Sequence, residues 1–322
     1  FLEERFDKRV KTVMAFFWLI VFVFVNLTSI LYLGALTIQS VMGIPLLYGV
    51  IGLALFAVVY SINGGLKAVA LTDVIQVFFL VGGGLITTYI ALDLLGAGEG
   101  VLKGCETLYL KTEDKFHLIL DPSHPGYMDL PGLSVILGGL WVANLYYWGC
   151  NQYIIQRALA AKNIKEAQWG MAFAGVIKLL IPLLVVIPGI AAFALDAPLS
   201  KPDEAYPWLL GNLLPVGVKG IAFAALTAAI VSSLASMMNS ISTIFTMDIY
   251  QVYIRPEGDA SHLVRVGKMT SLVAMLIGVC IAPLLSGLDQ AFQYIQEFTG
   301  FVSPGALSIF LAGFFYKRAT SN

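Results

Sequence analysis

The chain of 322 residues is too apolar for a soluble domain. Hydrophobic residues make up 58% of it and charged residues 12%, against about 45–50% apolar and about 25% charged residues in soluble domains. Because a stretch of about 20 apolar residues can cross a hydrocarbon core about 30 Å thick, the composition predicts an all-α membrane protein. The net charge of −1 carries no information about partners.

About eight transmembrane helices are predicted in chain order. No charged residue occurs from Thr12 to Leu66, and Pro45 divides this run into a helical hairpin. Only Asp73, Lys178 and Glu297 interrupt the later runs. The predicted spans are 13–40, 46–62, 69–92, 133–156, 169–195, 220–247, 269–288 and 291–316.

The basic residues predict the orientation of these spans. If the residues before the first span are cytoplasmic, thirteen of the nineteen Lys and Arg residues, Lys67 among them, fall in inside segments and five fall in outside segments. Cytoplasmic loops of membrane proteins retain positive charge. We therefore expect a multi-pass protein with a cytoplasmic start and two long outer loops, 96–131 and 196–215.

The fourth predicted span carries an unusual polar and aromatic segment. Asn144, Tyr147 and Trp148 lie in it, followed by Gly149. Gly149 is a point where the helix can unwind, and non-helical backbone is tolerated at membrane depth only where it lines a cavity or is buried in protein. Amides beside aromatic faces suit a pyranose ring. The alternative is an aromatic belt with amides that pack helices.

Lys178 is predicted near the middle of the membrane. It lies ten residues into the fifth predicted span, which at about 1.5 Å per residue is roughly 15 Å deep. A cation at that depth needs a carboxylate, a substrate hydroxyl or water. The alternative is a purely structural ion pair, for instance with Glu297.

The sixth predicted span offers oxygen ligands. Ser232 and Ser233 follow Ala229 by three and four residues, so two hydroxyls and a carbonyl can converge on one helix surface. Oxygen ligands are what a hard cation requires. The alternative is that the serines bond their own helix and the small residues allow close packing.

The last predicted span has a polar first half. Phe292 and Gln296 precede the sequence Ser303-Pro304-Gly305, which predicts a half-helix, a break and a second apolar half. Interrupted helices mark binding sites in transporters. The alternative is that 290–297 forms a surface helix before a shorter span.

Four stretches together resemble the sodium/solute symporter family, most like its bacterial sodium/galactose and sodium/glucose branch. They are YSINGGLKAVALTDVIQVFFL, GGLWVANLYYWGCNQYIIQR, AAIVSSLASMMNSISTIFTMDIY and AFQYIQEFTGFVSPG. The resemblance implies a ten-helix core of two inverted five-helix repeats and sodium-coupled sugar uptake by alternating access. It also implies that the chain starts at the third core helix, with 1–95 as helices three to five of the first repeat, 96–131 as an extracellular loop and 132–322 as the second repeat, all within one transmembrane domain.

The resemblance further implies roles for individual residues. The substrate-binding residues it implies are Asn144, Tyr147, Trp148, Lys178 and Gln296. The gate residues are Tyr147 on the inner side and Phe292 on the outer side. Sodium is expected at the carbonyl of Ala229 and the hydroxyls of Ser232 and Ser233, and Asp73 resembles a residue on the sodium exit path.

The expected partners are sodium ion, a hexose such as galactose or glucose, and the lipid bilayer, with a bacterial inner membrane as the location. Nothing indicates nucleic acid or a protein partner. The alternatives are a sodium symporter for another small polar solute, such as proline, a vitamin or an anion, and a membrane sugar sensor without transport. An enzyme is not expected, because no pair of carboxylates shares a predicted buried face.

Overall fold

The computed structural model describes residues 1–124, 126–127, 130 and 132–321, and gives the backbone alone for 63 and 65–68. The side chain of Lys67, predicted to face the cytoplasm, therefore lies outside the described residues. Every regular element in the described part is helical. The helices are α1 Leu2–Arg5, α2 Lys8–Met42, α3 Leu46–Leu95, α4 Val101–Lys111, α5 Val135–Gly139 continued by Leu140–Gly149, α6 Gln152–Leu159, α7 Ile164–Lys178, α8 Pro182–Ala194, α9 Ala205–Asn212, α10 Val216–Ile254, α11 Ala260–Gly287 and α12 Ala291–Phe315.

Local sequence signals explain where these helices begin and end. The Asp7 carboxylate accepts hydrogen bonds from the backbone N–H groups of Arg9 and Val10 at 2.8 and 2.9 Å, which caps α2. Helix α2 ends at Gly43, whose φ of +69° is a conformation that glycine adopts without strain. Pro45 is the N-cap residue of α3, which begins at Leu46.

Five segments of the described chain are long and apolar enough to cross a membrane. They are α2, the Val69–Leu95 part of α3, α10, α11 and α12, and the bent pair α7 and α8 makes a sixth. The apolar helix Leu46–Ile62 is shorter. The fourth predicted span is helical too, but in two short pieces, α5 and α6, because the backbone leaves the helix at Cys150 and Asn151.

The long helix α3 is bent between Tyr60 and Thr72. A straight helix would hold Tyr60 and Thr72 about 18 Å apart along its axis, yet their hydroxyl groups share a hydrogen bond. The segments Leu46–Ile62 and Val69–Leu95 therefore do not share one straight axis. This agrees with the two separate spans predicted from the sequence.

The fifth predicted span is formed by two helices, α7 and α8, which are bent by 40° relative to each other. Pro182 explains the bend, because it lacks an N–H group and its ring collides with the carbonyl four residues earlier, that of Lys178. One sequence expectation about helix continuity is wrong. The last predicted span has no break, since α12 continues through Pro304.

The best-packed part of the bundle surrounds α2 and α10. Phe22, Leu27, Leu31, Leu234 and Met237 are fully buried there. Large apolar side chains cover much of the surface instead, and a soluble protein rarely exposes so much apolar area. Examples of such exposed side chains are Leu55, Phe78, Phe173, Leu276 and Phe314.

Candidate functional site

A cavity of about 660 Å³ lies between α2, α5, α6, α7, α10 and α12. We call it the central cavity. Its walls mix aromatic rings with hydroxyl and amide groups, the composition of a site for a small polar ligand. The polar side chains that line it are Asn26, Thr37, Asn144, Tyr146, Tyr147, Asn151, Tyr153, Lys178, Ser233, Gln296 and Thr299.

Eight of the ten residues predicted to form a site line this one cavity. They come from four helices that are far apart in the sequence. The eight are Asn144, Tyr147, Trp148, Lys178, Ala229, Ser233, Phe292 and Gln296. The remaining two, Ser232 and Asp73, contact each other instead; neither of them lines the cavity.

The junction of α5 and α6 places amides and aromatic rings at the cavity wall. Helix α5 ends at Gly149, and the side chain of Asn151 accepts a hydrogen bond of 3.1 Å from the Tyr153 backbone N–H to cap α6. The predicted unwinding therefore occurs. The rings of Tyr147 and Trp148 pack edge to face with their centroids 5.4 Å apart, so each ring restrains the other.

Lys178 contacts an aromatic ring, and among the described residues no carboxylate forms an ion pair with it. Its Nζ lies 4.0 Å from the centroid of the Trp148 ring, a cation–π geometry. Glu297, the alternative partner suggested by the sequence, accepts a hydrogen bond from Gln293 at 3.2 Å. Lys178 itself lines the central cavity.

Gln296 and Phe292 share one face of α12, four residues apart. Both line the central cavity, and 53% of Phe292 is exposed. Because α12 is continuous here, these residues are presented by a regular helix and not by the interrupted helix that the sequence suggested.

Only part of the predicted sodium ligand set converges. Ala229 and Ser233 line the cavity, and so does Tyr153 of α6. The Ser232 hydroxyl is directed away from them and donates to Asp73. Ser233 therefore offers an oxygen to the cavity, whereas Ser232 supports the carboxylate behind it.

Asp73 belongs to a polar network that joins α3, α6 and α10. Its carboxylate receives hydrogen bonds from Ser232 and from Arg157, whose Nη2 lies 2.8 Å away. Arg157 also donates to the Ser236 hydroxyl at 2.7 Å. One amide, that of Gln156, extends the network to the Ser236 carbonyl and the Ser240 hydroxyl. The charge of Asp73 is thus compensated, which the low-dielectric interior requires.

The sequence interpretation missed some polar residues that line the cavity. Asn26 lies in a long apolar run, where it is the first amide after the start of α2, and a π-helical turn, Val21–Leu27, carries it. Such turns are frequent at functional sites. Tyr153 and Thr299 also line the cavity. An amide inside a predicted span was the available signal for Asn26.

These features define a class of protein: a multi-pass helical membrane protein with a polar cavity inside its bundle. Comparison with known proteins identifies the family. The model of the sodium:solute symporter family matches residues 1–322, and the chain belongs to that family.

Individual relatives agree with this assignment. The chain is 55% identical over 338 residues to the sodium/glucose cotransporter of Vibrio parahaemolyticus, covering 100% of this chain and 62% of that protein. It is 32% identical over 350 residues to the sodium/myo-inositol cotransporter 2 of Bos taurus, covering 99% of this chain and 51% of that protein. The chain thus spans between half and two thirds of the length of these relatives.

A solved structure shares the fold. It shows the substrate-bound, outward-open state of a Na⁺-coupled sialic acid symporter. The TM-score is 0.81 at 24% identity, over 99% of this chain and 66% of that one. At this identity the likeness bears on the fold alone.

Proposed function

We propose that the full-length protein is a sodium-coupled symporter for a hexose of the galactose or glucose type, working by alternating access in a bacterial inner membrane. The observation that carries the proposal is the central cavity, where Asn144, Lys178 and Gln296 offer hydrogen-bonding groups around the rings of Tyr147 and Trp148. Amides and an ammonium match the hydroxyls of a pyranose. The flat rings match its C–H faces.

Sodium binds, in this proposal, at the wall of α10. Ala229 and Ser233 line the cavity, and Ser232 connects this wall to Asp73. Two or three neutral oxygens are an incomplete shell for a hard cation. The first two core helices of the family supply the remaining ligands, and Asp73 lies on the path by which sodium leaves.

Tyr147 and Phe292 act as the inner and outer gates of the site. Tyr147 stacks on the sugar from one side, and Phe292, half exposed at the start of α12, covers it from the other. Sodium and sugar both favour the outward-facing state, and both are released after the change to the inward-facing state. Coupling requires this shared preference.

The topology and the domain division belong to the same proposal. The residues before α2 are cytoplasmic, 1–95 are helices three to five of the first repeat, and 132–322 are the second, inverted repeat. The protein moves its solute unchanged and carries out no chemistry.

The chemistry of the cavity also favours a second candidate, a cyclic polyol. The Lys178 ammonium and the amides of Asn144 and Gln296 can bind any ring of hydroxyl groups, and one relative is named for myo-inositol. Competition of unlabelled myo-inositol against labelled galactose distinguishes the two candidates, since the preferred solute competes at the lower concentration.

The experiment reconstitutes the full-length protein in liposomes and measures galactose and glucose uptake with and without a sodium gradient. Ser233→Ala is expected to raise the sodium concentration needed for half-maximal uptake. Lys178→Ala is expected to raise the sugar concentration needed for half-maximal uptake by about tenfold or more. The reason is that a hydrogen bond to a charged group contributes about 1.5–3 kcal/mol. Lys103→Ala is the matched control, since its ammonium pairs with Glu106 on the surface of α4. Sugar flux that ignores sodium contradicts the symport mechanism.

A further inference from the structure

A further cavity, of about 490 Å³, lies where α10 and α11 meet the bend of α3. We call it the α10–α11 cavity. Its wall is rich in hydroxyl groups and also carries an amide and an ammonium. The polar side chains among the described residues that line it are Ser61, Asn239, Ser242, Thr243, Thr246, Lys268 and Ser271. None of these residues lines the central cavity.

Two hydroxyl groups of α10 border the space beside Gly267 of α11. A β-carbon added to Gly267 would lie 2.6 Å from the Ser242 Oγ and 3.5 Å from the Thr246 Oγ1. A side chain at this position would therefore compete with the two hydroxyls for the same space. Glycine leaves this space open, and all three residues line the α10–α11 cavity.

The hydroxyl of Thr246 is buried without a partner. Thr246 is 4% exposed, and its Oγ1 has no hydrogen-bond partner among the described residues. A threonine within a helix often bonds the carbonyl four residues earlier, as Thr270 of α11 does with Val266 at 3.0 Å. Thr246 lies in the π-helical stretch Ile244–Ile254 instead. Because an unpaired buried hydroxyl costs free energy, a ligand that accepts a hydrogen bond from Thr246 is stabilised there.

Lys268 gives the α10–α11 cavity a positive charge. It is the only charged residue among the described residues that line the cavity. Hydroxyl oxygens can bind a hard cation, but the ammonium of Lys268 repels one. Hydroxyl donors beside an ammonium match the oxygens of an anion, with which they form charge-assisted hydrogen bonds.

The position of Lys268 along α11 matches the depth of lipid phosphate groups. Lys268 immediately precedes the predicted span 269–288, which contains no charged residue. Helix α11 with its last turns has 28 residues. At 1.5 Å per residue this is about 42 Å, longer than a hydrocarbon core of about 30 Å, so its first turns extend to the level of the head groups. Met247, which also lines the cavity and is 45% exposed, places apolar surface beside the polar wall.

We propose that the α10–α11 cavity is a binding site for a phosphate group, with Lys268 as the counter-charge and the hydroxyls of Ser242 and Thr246 as donors. The phosphate belongs either to the head group of an anionic phospholipid or to free phosphate, and the depth of Lys268 favours the lipid. In the proposed topology this end of α11 is cytoplasmic, the side on which basic pockets between transmembrane helices bind anionic head groups. The site is independent of the solute that the central cavity binds.

The test measures the binding of phosphatidylglycerol to the full-length protein in a neutral detergent by native mass spectrometry. Phosphatidylcholine is the comparison lipid, because its choline cancels the charge of the phosphate, and inorganic phosphate is titrated separately. Phosphatidylglycerol is expected to bind at a lower concentration than phosphatidylcholine. Sodium and sugar are both left out, so a failure of the proposed transport function does not affect the result.

Lys268→Gln is expected to lower the affinity for phosphatidylglycerol by about fivefold, the usual effect of one basic residue near an anionic surface. Thr246→Val keeps the shape of the side chain and removes its donor, and about a fivefold loss or more is expected. Lys165→Gln and Thr270→Val are the matched controls. Lys165 of α7 does not line the cavity, and the Thr270 hydroxyl already has a partner, so both controls are expected to bind the lipid unchanged.

Both test variants are expected to fold, because Lys268 is exposed and valine fills the space of Thr246; thermal unfolding checks this. If Thr246→Val is more stable but binds phosphatidylglycerol as before, Thr246 is only an unpaired core hydroxyl and the site is overturned. Equal affinity for the two lipids, or an unchanged affinity in Lys268→Gln, also overturns it. Inorganic phosphate that binds as tightly as phosphatidylglycerol supports the site with free phosphate as its ligand, and weaker binding of inorganic phosphate supports the lipid.

Discussion

The position of the Lys178 ammonium depends on one neighbouring ring. The centroid of the Trp148 ring lies 4.0 Å from the Lys178 Nζ. A cation–π contact contributes about 0.5–2 kcal/mol, and more when it is desolvated. The ring therefore fixes where a flexible side chain presents its donors. A ligand that uses Lys178 gains from this arrangement, because the lysine is ordered before the ligand binds.

Trp148→Ala is accordingly expected to weaken sugar binding by about 2–30-fold, the range set by the strength of the cation–π contact. Trp148→Phe is expected to keep part of the affinity, since phenylalanine retains a ring face for the ammonium. Equilibrium binding of radiolabelled galactose to the full-length protein measures both. Trp169→Ala, on an outward-facing part of α7, controls for the loss of a tryptophan, and an equal loss in that variant contradicts the positioning role.

The sequence indicates which polar residues line the cavity, but not which side chains contact them. An ionisable or amide group inside an apolar run is conspicuous because it costs free energy at membrane depth, which is how Asn144, Lys178 and Gln296 were found. The ring beneath Lys178 could not be deduced in the same way, because helix–helix contacts between α5 and α7 are set by packing. Asn26 carries the same signal within the apolar run of α2.

At the scale of helices, the contact between Asp73 and Arg157 ties α3 to α6. The pair is 2.8 Å apart, with 25% and 34% of the two side chains exposed, and Arg157 also bonds Ser236 of α10. Helix α6 has only eight residues. A short helix after a break needs such tertiary contacts to keep its position.

Asp73→Asn is expected to lower the thermal unfolding midpoint, because it leaves Arg157 partly buried without a counter-charge. Removing one partner of a fully buried pair costs about 3–5 kcal/mol, and the partial exposure of both groups reduces this to about 1–3 kcal/mol. Asp73→Asn combined with Arg157→Gln is expected to recover part of the loss. If the double variant is no more stable than Asp73→Asn, the ion pair is not what holds α6.

Helix breaks were only partly predictable. Gly149 correctly indicated the end of α5, where the polar and aromatic context adds to the signal. Pro304 did not break α12, whereas Pro182 bends the chain by 40°. A proline in a membrane helix is tolerated when neighbouring groups satisfy the freed carbonyl. The sequence shows the proline, but the neighbours come from the tertiary fold.

At the scale of the whole molecule, the two proposed ligands are bound by different walls of one cavity. Ala229 and Ser233 lie on α10, and Lys178 and Gln296 lie on α7 and α12. Helix α7 has no buried residue within its bounds in this chain, while α10 lies in the packed core.

Two ligands that favour the same conformation must strengthen each other equally. If saturating sodium raises the affinity for galactose by a factor α, saturating galactose must raise the affinity for sodium by the same α, with typical couplings of about 5–150-fold. Isothermal titration of the full-length protein with each ligand, with and without the other, measures both factors. Ser233→Ala is expected to lower sodium affinity directly, and Lys178→Ala to lower sugar affinity while leaving sodium binding without sugar unchanged. An affinity for galactose that does not respond to sodium contradicts a coupled mechanism, because ligands that act on separate equilibria cannot drive one another across a membrane.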